Sequence, residues 1–97
     1  MYTRVTTFFV HPTKLDEFAT IFRDAILPAI SQLAGFQELL LLTDPSRGKA
    51  MSISLWASEA EWAASETSGV FQQQGAKLAS LMTAPPTREA YTLHVRS

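Results

Sequence analysis

The chain has no cysteine and almost no net charge, and each scarcity removes a class of answer. Without cysteine there is no disulfide framework, no thiolate nucleophile and no zinc–cysteine centre, so secretion into an oxidising compartment has no positive support. Eight basic and nine acidic side chains give a formal charge of −1, too small a field to make nucleic acid the default partner. The longest strongly apolar run, Leu39 to Leu42, is far too short to span a bilayer, so no membrane association is expected. Met1 to Arg4 run straight into a β-like segment, without the apolar core and cleavage site of a signal peptide, and the expected location is the cytoplasm. His11 and His94 lie far apart with no clustered carboxylates, which makes no metal site. There is also no glycine-rich phosphate loop, no nucleophile-elbow serine and no paired-carboxylate signature.

What is there is 97 residues, 46% of them apolar, read as one domain over residues 1–97. A chain of this size buries only roughly 60–70% of the surface its unfolded form exposes, so a second copy is a natural supplement to its core.

Tyr2 to Val10 is rich in threonine, valine and aromatics and reads as a first strand. Pro12 suits a first helical position, and apolar residues then recur at threes and fours from Leu15 through Phe18, Phe22, Ile26 and Ile30 to Leu33. Pro28 is expected to bend or restart this helix and Gly35 to end it. Phe36 to Thr43 reads as a strand because a helix stop precedes it and the turn Asp44-Pro45-Ser46-Arg47-Gly48 follows. Met51 to Ala57 alternates as the second arm of a hairpin, with Ser52, Ser54 and Trp56 on one face. Ser58-Glu59-Ala60-Glu61 has the capping-box form and opens a second helix, which Gly69 interrupts before a further helical stretch from Val70 to Met82. Arg88 to Arg96 alternates again and reads as the final strand, preceded by Pro85-Pro86.

The order strand, helix, strand, strand, helix, strand predicts a ferredoxin-like βαββαβ α+β fold with a four-stranded antiparallel sheet. Helices cover one face of such a sheet. Here both faces carry apolar residues, Phe8 and Val10 opposite Val5 and Phe9, Leu40 and Leu42 opposite Leu39 and Leu41. Two-sided hydrophobicity predicts that a second copy covers the other face, giving a homodimeric α+β barrel.

Gly35-Phe36, the Asp44-Pro45 and Gly48-Lys49-Ala50 hairpin, and the Leu55-Trp56, Ser58-Glu59 junction resemble the antibiotic biosynthesis monooxygenase family of dimeric α+β barrels. The resemblance implies a cofactor-independent oxygenase acting on a planar phenol or quinol. In the phenol-oxidising type an asparagine and a tryptophan of the hairpin's second strand point into the pocket. Trp56 corresponds to that tryptophan, Ser52 stands at the asparagine position, and the chain contains no asparagine. The haem-degrading type uses an asparagine, a tryptophan and a histidine, whose positions fall near Thr6 or Thr7, at Ser65 and at Gly75; all three are absent, which disfavours haem degradation.

Trp56 is the leading candidate, as an aromatic wall for a flat ligand or as a core or interface tryptophan. Ser52 and Ser54 share its strand face and offer a polar lining for a pocket, or cross-sheet hydrogen bonds. Tyr91 is a candidate pocket hydroxyl with core packing as its rival, and His94 reads as a solvated or interface histidine. Glu59 and Glu61 suit a helix start, where the macrodipole favours negative charge. Two functions fit: a small dimeric oxygenase binding a planar aromatic near Trp56 with no cofactor, or a non-catalytic dimeric barrel that binds a small ligand or regulates a partner.

Overall fold

Threonine, valine and aromatic side chains give β1 (Tyr2–Val10) the pleated, half-buried surface that its sequence predicts. The computed structural model describes residues 1–97. After β1 the chain makes a short 3₁₀ turn at Pro12–Lys14 and enters α1 (Leu15–Ile21). Between α1 and α2 (Leu27–Ile30) the backbone widens into a π turn over Phe22–Ile26. Pro28 supplies the reason: it has no N–H for the carbonyl of Asp24 and its ring crowds that carbonyl, so one turn opens. The Leu27 N–H reaches back to the Phe22 carbonyl instead. The break expected at Pro28 is thus an expanded turn just ahead of it, and Phe18, Phe22, Ile26 and Ile30 all stay buried.

The helical run ends at Ile30, earlier than expected, and Gly35 instead makes the turn into the next strand at φ +83°; a Cβ there would lie 2.6 Å from the Glu61 Cβ, so both conformation and space demand glycine. β2 (Phe36–Asp44) and β3 (Lys49–Trp56) form the hairpin. At its turn the Asp44 carboxylate accepts from the Ser46 hydroxyl at 2.6 Å, the Ser46 N–H at 3.1 Å and Arg47 Nε at 2.6 Å. These bonds, the Ser46 hydroxyl first and Arg47 next, hold the Asp44 carboxyl down at about 2.

Ser58 caps α3 (Glu59–Thr67) as its motif predicts: its Oγ accepts the Glu61 N–H at 3.2 Å and its hydroxyl donates to the Glu61 carboxylate at 3.1 Å. A break at Gly69 leads into α4 (Val70–Gly75) and a 3₁₀ run, Ala76–Leu81. The last strand differs from its expected span. β4 runs from Met82 to Thr92, so it takes in Pro85 and Pro86 and leaves His94 outside. The sheet order β2-β3-β1-β4 explains the difference, because β4 is an edge strand, where prolines cost no interior ladder bond. The prolines coincide with a register shift against β1, between the Thr7–Thr87 and Phe9–Ala84 pairs.

All neighbouring strands are antiparallel, and the architecture is the expected ferredoxin-like α+β fold. The helices cover one face. The core between the layers centres on Trp56, Phe18, Ile30, Leu78 and Val10, with Phe8 edge-on to Phe18 at 5.1 Å between ring centres. On the opposite face Leu40 and Leu42 stand 45% and 52% exposed. No helix is long and apolar enough to cross a membrane.

Candidate functional site

Strand parity builds the site. The helix-facing side of β1 carries Arg4, Thr6, Phe8 and Val10, so one row mixes a cation and a hydroxyl with two core residues. Antiparallel register sets Arg4 opposite Ser54 and Thr6 opposite Ser52 on β3, and Arg88 of β4 beside Thr6 on the other flank. A polar stripe therefore crosses the buried side of the sheet. Phe22, Ile26 and Ile30 cover it from one helix layer, and Phe71, Gln74 and Leu78 from the other. Between stripe and helices lies a cavity of about 70 Å³.

Arg4 is its most unusual member, a guanidinium only 2% exposed. Nε meets Glu66 Oε1 at 2.5 Å and Nη2 donates to the Ser65 hydroxyl at 2.8 Å, while that hydroxyl donates to the Trp62 carbonyl. The Phe71 ring lies over the guanidinium carbon at 4.0 Å from the ring centre, with the Trp56 and Trp62 ring centres each at 5.5 Å. Glu66 is shared: its second oxygen takes Arg88 Nη1 at 3.2 Å. Burial pulls the Arg4 guanidinium below its ordinary value, and the hydrogen bond and charge of Glu66 oppose that pull. Arginine remains a cation in such surroundings. Two guanidiniums against one carboxylate leave this side of the cavity positive.

Arg4 Nη1 is buried without a hydrogen-bond partner, and so is Gln74 Oε1. Unpaired buried polar atoms are costly, and these two belong to residues that line the same cavity.

The structure brings Ser52 and Ser54 into the cavity wall. Trp56 takes a different place. It is fully buried behind the wall, packed edge-on against Phe36 at 5.8 Å, and its indole N–H donates to Ser54 Oγ at 3.0 Å. It is the core alternative of the two considered, and it fixes the Ser54 hydroxyl rather than offering a stacking face. Tyr91 is the clearer correction. It pairs with Thr3, whose parity is opposite to that of Arg4, so it lies on the outer side of the sheet at 50% exposure. There its hydroxyl donates to Glu89 at 2.6 Å, a bond that together with the Glu89 charge raises the phenol above its ordinary value.

Arg4, Arg88, Glu66 and Gln74 were not legible as site residues by motif. One signal pointed to Arg4: it shares the parity of Phe8 and Val10, which places a charge on the row that must face the core. Gln74 sits in a run of three glutamines, and only the helix phase separates it from its exposed neighbours.

Several solved structures share this fold. SnoaB, a cofactor-independent oxygenase from Streptomyces nogalater, superposes with a TM-score of 0.72 at 19% identity, over 98% of this chain and 94% of that one. The ActVA-Orf6 monooxygenase of Streptomyces coelicolor, in complex with nanaomycin D, gives 0.83 at 17% identity, over 99% of this chain and 89% of that one. NE2512 of Nitrosomonas europaea, a protein of unknown function, gives 0.80 at 20% identity, over 99% and 91%. No curated protein sequence matches the chain. The sequence model of antibiotic biosynthesis monooxygenases matches residues 1–77, a span that holds the whole cavity wall except Leu78 and Arg88, and the chain belongs to that family.

Proposed function

We propose that the protein is a cofactor-independent oxygenase that takes a small planar phenol or quinol into the cavity beside Arg4, and that it works as a homodimer. The carrying observation is the buried Arg4 with its unpaired Nη1 on a cavity that no carboxylate lines. A cation fixed in low dielectric favours the anion of whatever enters, so it favours phenolate over phenol. Phenolate is electron-rich enough to reduce dioxygen itself. One electron passes to dioxygen, and the aryloxyl radical and superoxide join through a carbon–oxygen bond at a ring carbon that bears hydrogen. The peroxide takes up a proton, its O–O bond breaks as the ring proton leaves, and water departs. Phenol plus dioxygen thus gives quinone plus water. Arg4 holds the oxyanion, Ser52 and Thr6 offer hydroxyls along the stripe, and the apolar helices exclude water.

The cavity limits the substrate. Its 70 Å³ is about half of the roughly 150 Å³ that holds a benzene ring, so a guest of one ring already requires the wall to expand. The homodimer reading rests on the outer face, where Leu40 and Leu42 flank Ile53 and Met51 in an uncovered apolar row.

Oxygen uptake tests the catalytic reading. The pure protein, given single-ring phenols and quinols under air, is expected to consume one dioxygen per substrate oxidised. In Arg4→Met the pH midpoint of that rate should rise by about one to three pH units, as the phenol loses its cation. No turnover with any of them, alongside ligand-induced quenching of tryptophan fluorescence, would establish the second reading, a non-catalytic ligand-binding barrel. A specific observation favours that alternative: the asparagine position of the phenol-oxidising relatives is Ser52, and the corresponding tryptophan is sealed in the core.

A further inference from the structure

One residue stands apart in the cavity wall. Of the fourteen residues that line the cavity, Arg88 alone is exposed, with 41% of its side chain in solvent, while the others are buried or half-buried. Outside it lies an open groove between α3 and β4, walled by Trp62, Glu66 and Thr67 of the helix and by Glu89 and Ala90 of the strand. Arg4 and Arg88 line both spaces, so they form the partition between cavity and groove, and Glu66 bonds to each from the groove side. The two halves of that partition are held very differently. Arg4 is bonded to Glu66 and Ser65 and covered by the Phe71 ring. Arg88 makes one side-chain hydrogen bond, to Glu66 Oε2 at 3.2 Å. It stands on the edge strand β4, next to the register shift against β1 at Pro85 and Pro86.

We propose that this groove is the vestibule of the cavity and that Arg88 is its gate, leaving Glu66 to admit a single-ring guest and returning behind it. The inference rests on the cavity being the ligand site and holds whether or not the guest is oxidised. An ion pair this exposed is weak, because water solvates both partners once it opens, so it is a fastening that breaks readily. Opening it leaves the buried half in place, since Glu66 gives Oε1 to Arg4 and only Oε2 to Arg88. Arg88 also supplies room. The closed cavity has about half the volume a ring needs, and Arg88, its most exposed lining residue, can withdraw into solvent on its flexible stem. Such a gate has a kinetic signature: it sets how fast a guest comes and goes, whereas a wall contact sets how long it stays.

The chain has no cysteine, so a single introduced thiol is a unique handle on the gate. Phenol and 4-nitrophenol are mixed with the protein under argon, and stopped flow follows the quenching of tryptophan fluorescence, with Trp56 behind Ser54 of the cavity wall as reporter. Arg88→Ala should raise association and dissociation rates together by about two- to fivefold, the worth of an exposed ion pair, with Kd within about twofold of wild type. Arg88→Cys should behave alike, and capping its thiol with a bulky methanethiosulfonate should slow association by about tenfold or more, with reduction restoring it. The same cap on Gln73→Cys, at an exposed position of α4 outside the groove, should leave the rates unchanged. Circular dichroism melts check the folding of each variant, and the reversible cap compares one folded protein with itself. Unchanged association in Arg88→Ala, or capped Arg88→Cys that binds as fast as uncapped, overturns the gate while the cavity keeps its standing as a site. An affinity loss carried by dissociation alone makes Arg88 a wall contact and overturns the gate as well. Failure of both phenols to bind overturns gate and cavity together. Gated binding without oxygen uptake under air overturns only the oxygenase reading.

Discussion

Each face of the sheet departs locally from the usual distribution of polarity. The face under the helices carries Arg4, Thr6, Ser52 and Ser54, all at least nine-tenths buried, among the core residues Phe8, Val10 and Trp56. The bare face carries Leu40, Leu42, Val5 and Ile53, with the two leucines about half exposed. Each departure has a cost unless something answers it: buried hydroxyls and a guanidinium need partners, and an apolar row in water needs a cover. The lesson is that the same hairpin supplies both, since alternate residues of β2 and β3 serve the cavity and the uncovered row in turn. Changes at neighbouring positions along one strand should therefore have unrelated effects.

The largest expected effect lies on the packed side. Phe18 is wholly buried against Phe8 and Phe22, and Phe18→Ala should destabilise by about 3–5 kcal/mol, enough to shift a thermal melt by tens of degrees in a domain this small. Next comes the ion network. Glu66→Gln leaves Arg4 buried with only a neutral acceptor and should cost about 1.5–3 kcal/mol. Adding Arg4→Met should recover part of that loss in a double-mutant cycle of denaturant midpoints, and simple additivity would show that the pair is not coupled.

The bare face should respond in assembly rather than in fold. Leu40→Lys with Leu42→Lys is expected to convert a dimer to a monomer by light scattering at micromolar concentration, with the monomer's own stability within about 0.5 kcal/mol of wild type. A monomeric wild type would remove the barrel reading altogether. The smallest effect is at the hairpin tip. The Asp44 carboxyl is held below its unfolded value, so its contribution is present above 3.8 and is lost as pH falls through about 2. Asp44→Asn should melt below the wild type at neutral pH and match it at the acid end of that window.

Local signals are legible wherever the backbone itself dictates structure. The capping serine Ser58, the left-handed Gly35 and the Asp44 turn are each recognisable without tertiary context, and each falls where its chemistry requires. β4 was harder to place because its span depends on being an edge: Pro85 and Pro86 look like a strand's limit until the sheet order permits them inside one. The site was the least legible part. Arg4 becomes meaningful only when α3 delivers Ser65 and Glu66 to it across more than sixty residues, a contact no spacing rule encodes. Trp56 drew attention as a large aromatic on a polar face, yet its indole spends its one donor on Ser54 and turns inward.

The paired prolines of β4 carry a consequence for the sheet's open borders. A strand edge recruits further strands by offering backbone N–H groups to a newcomer, and of two adjacent residues one faces outward. With neither Pro85 nor Pro86 able to donate, the β4 border is interrupted midway and cannot zip continuously onto another chain. The β2 border, Phe36–Asp44, has no such gap. Strand-by-strand growth of this protein, the route to aggregates, is thereby hindered more on the β4 side than on the β2 side.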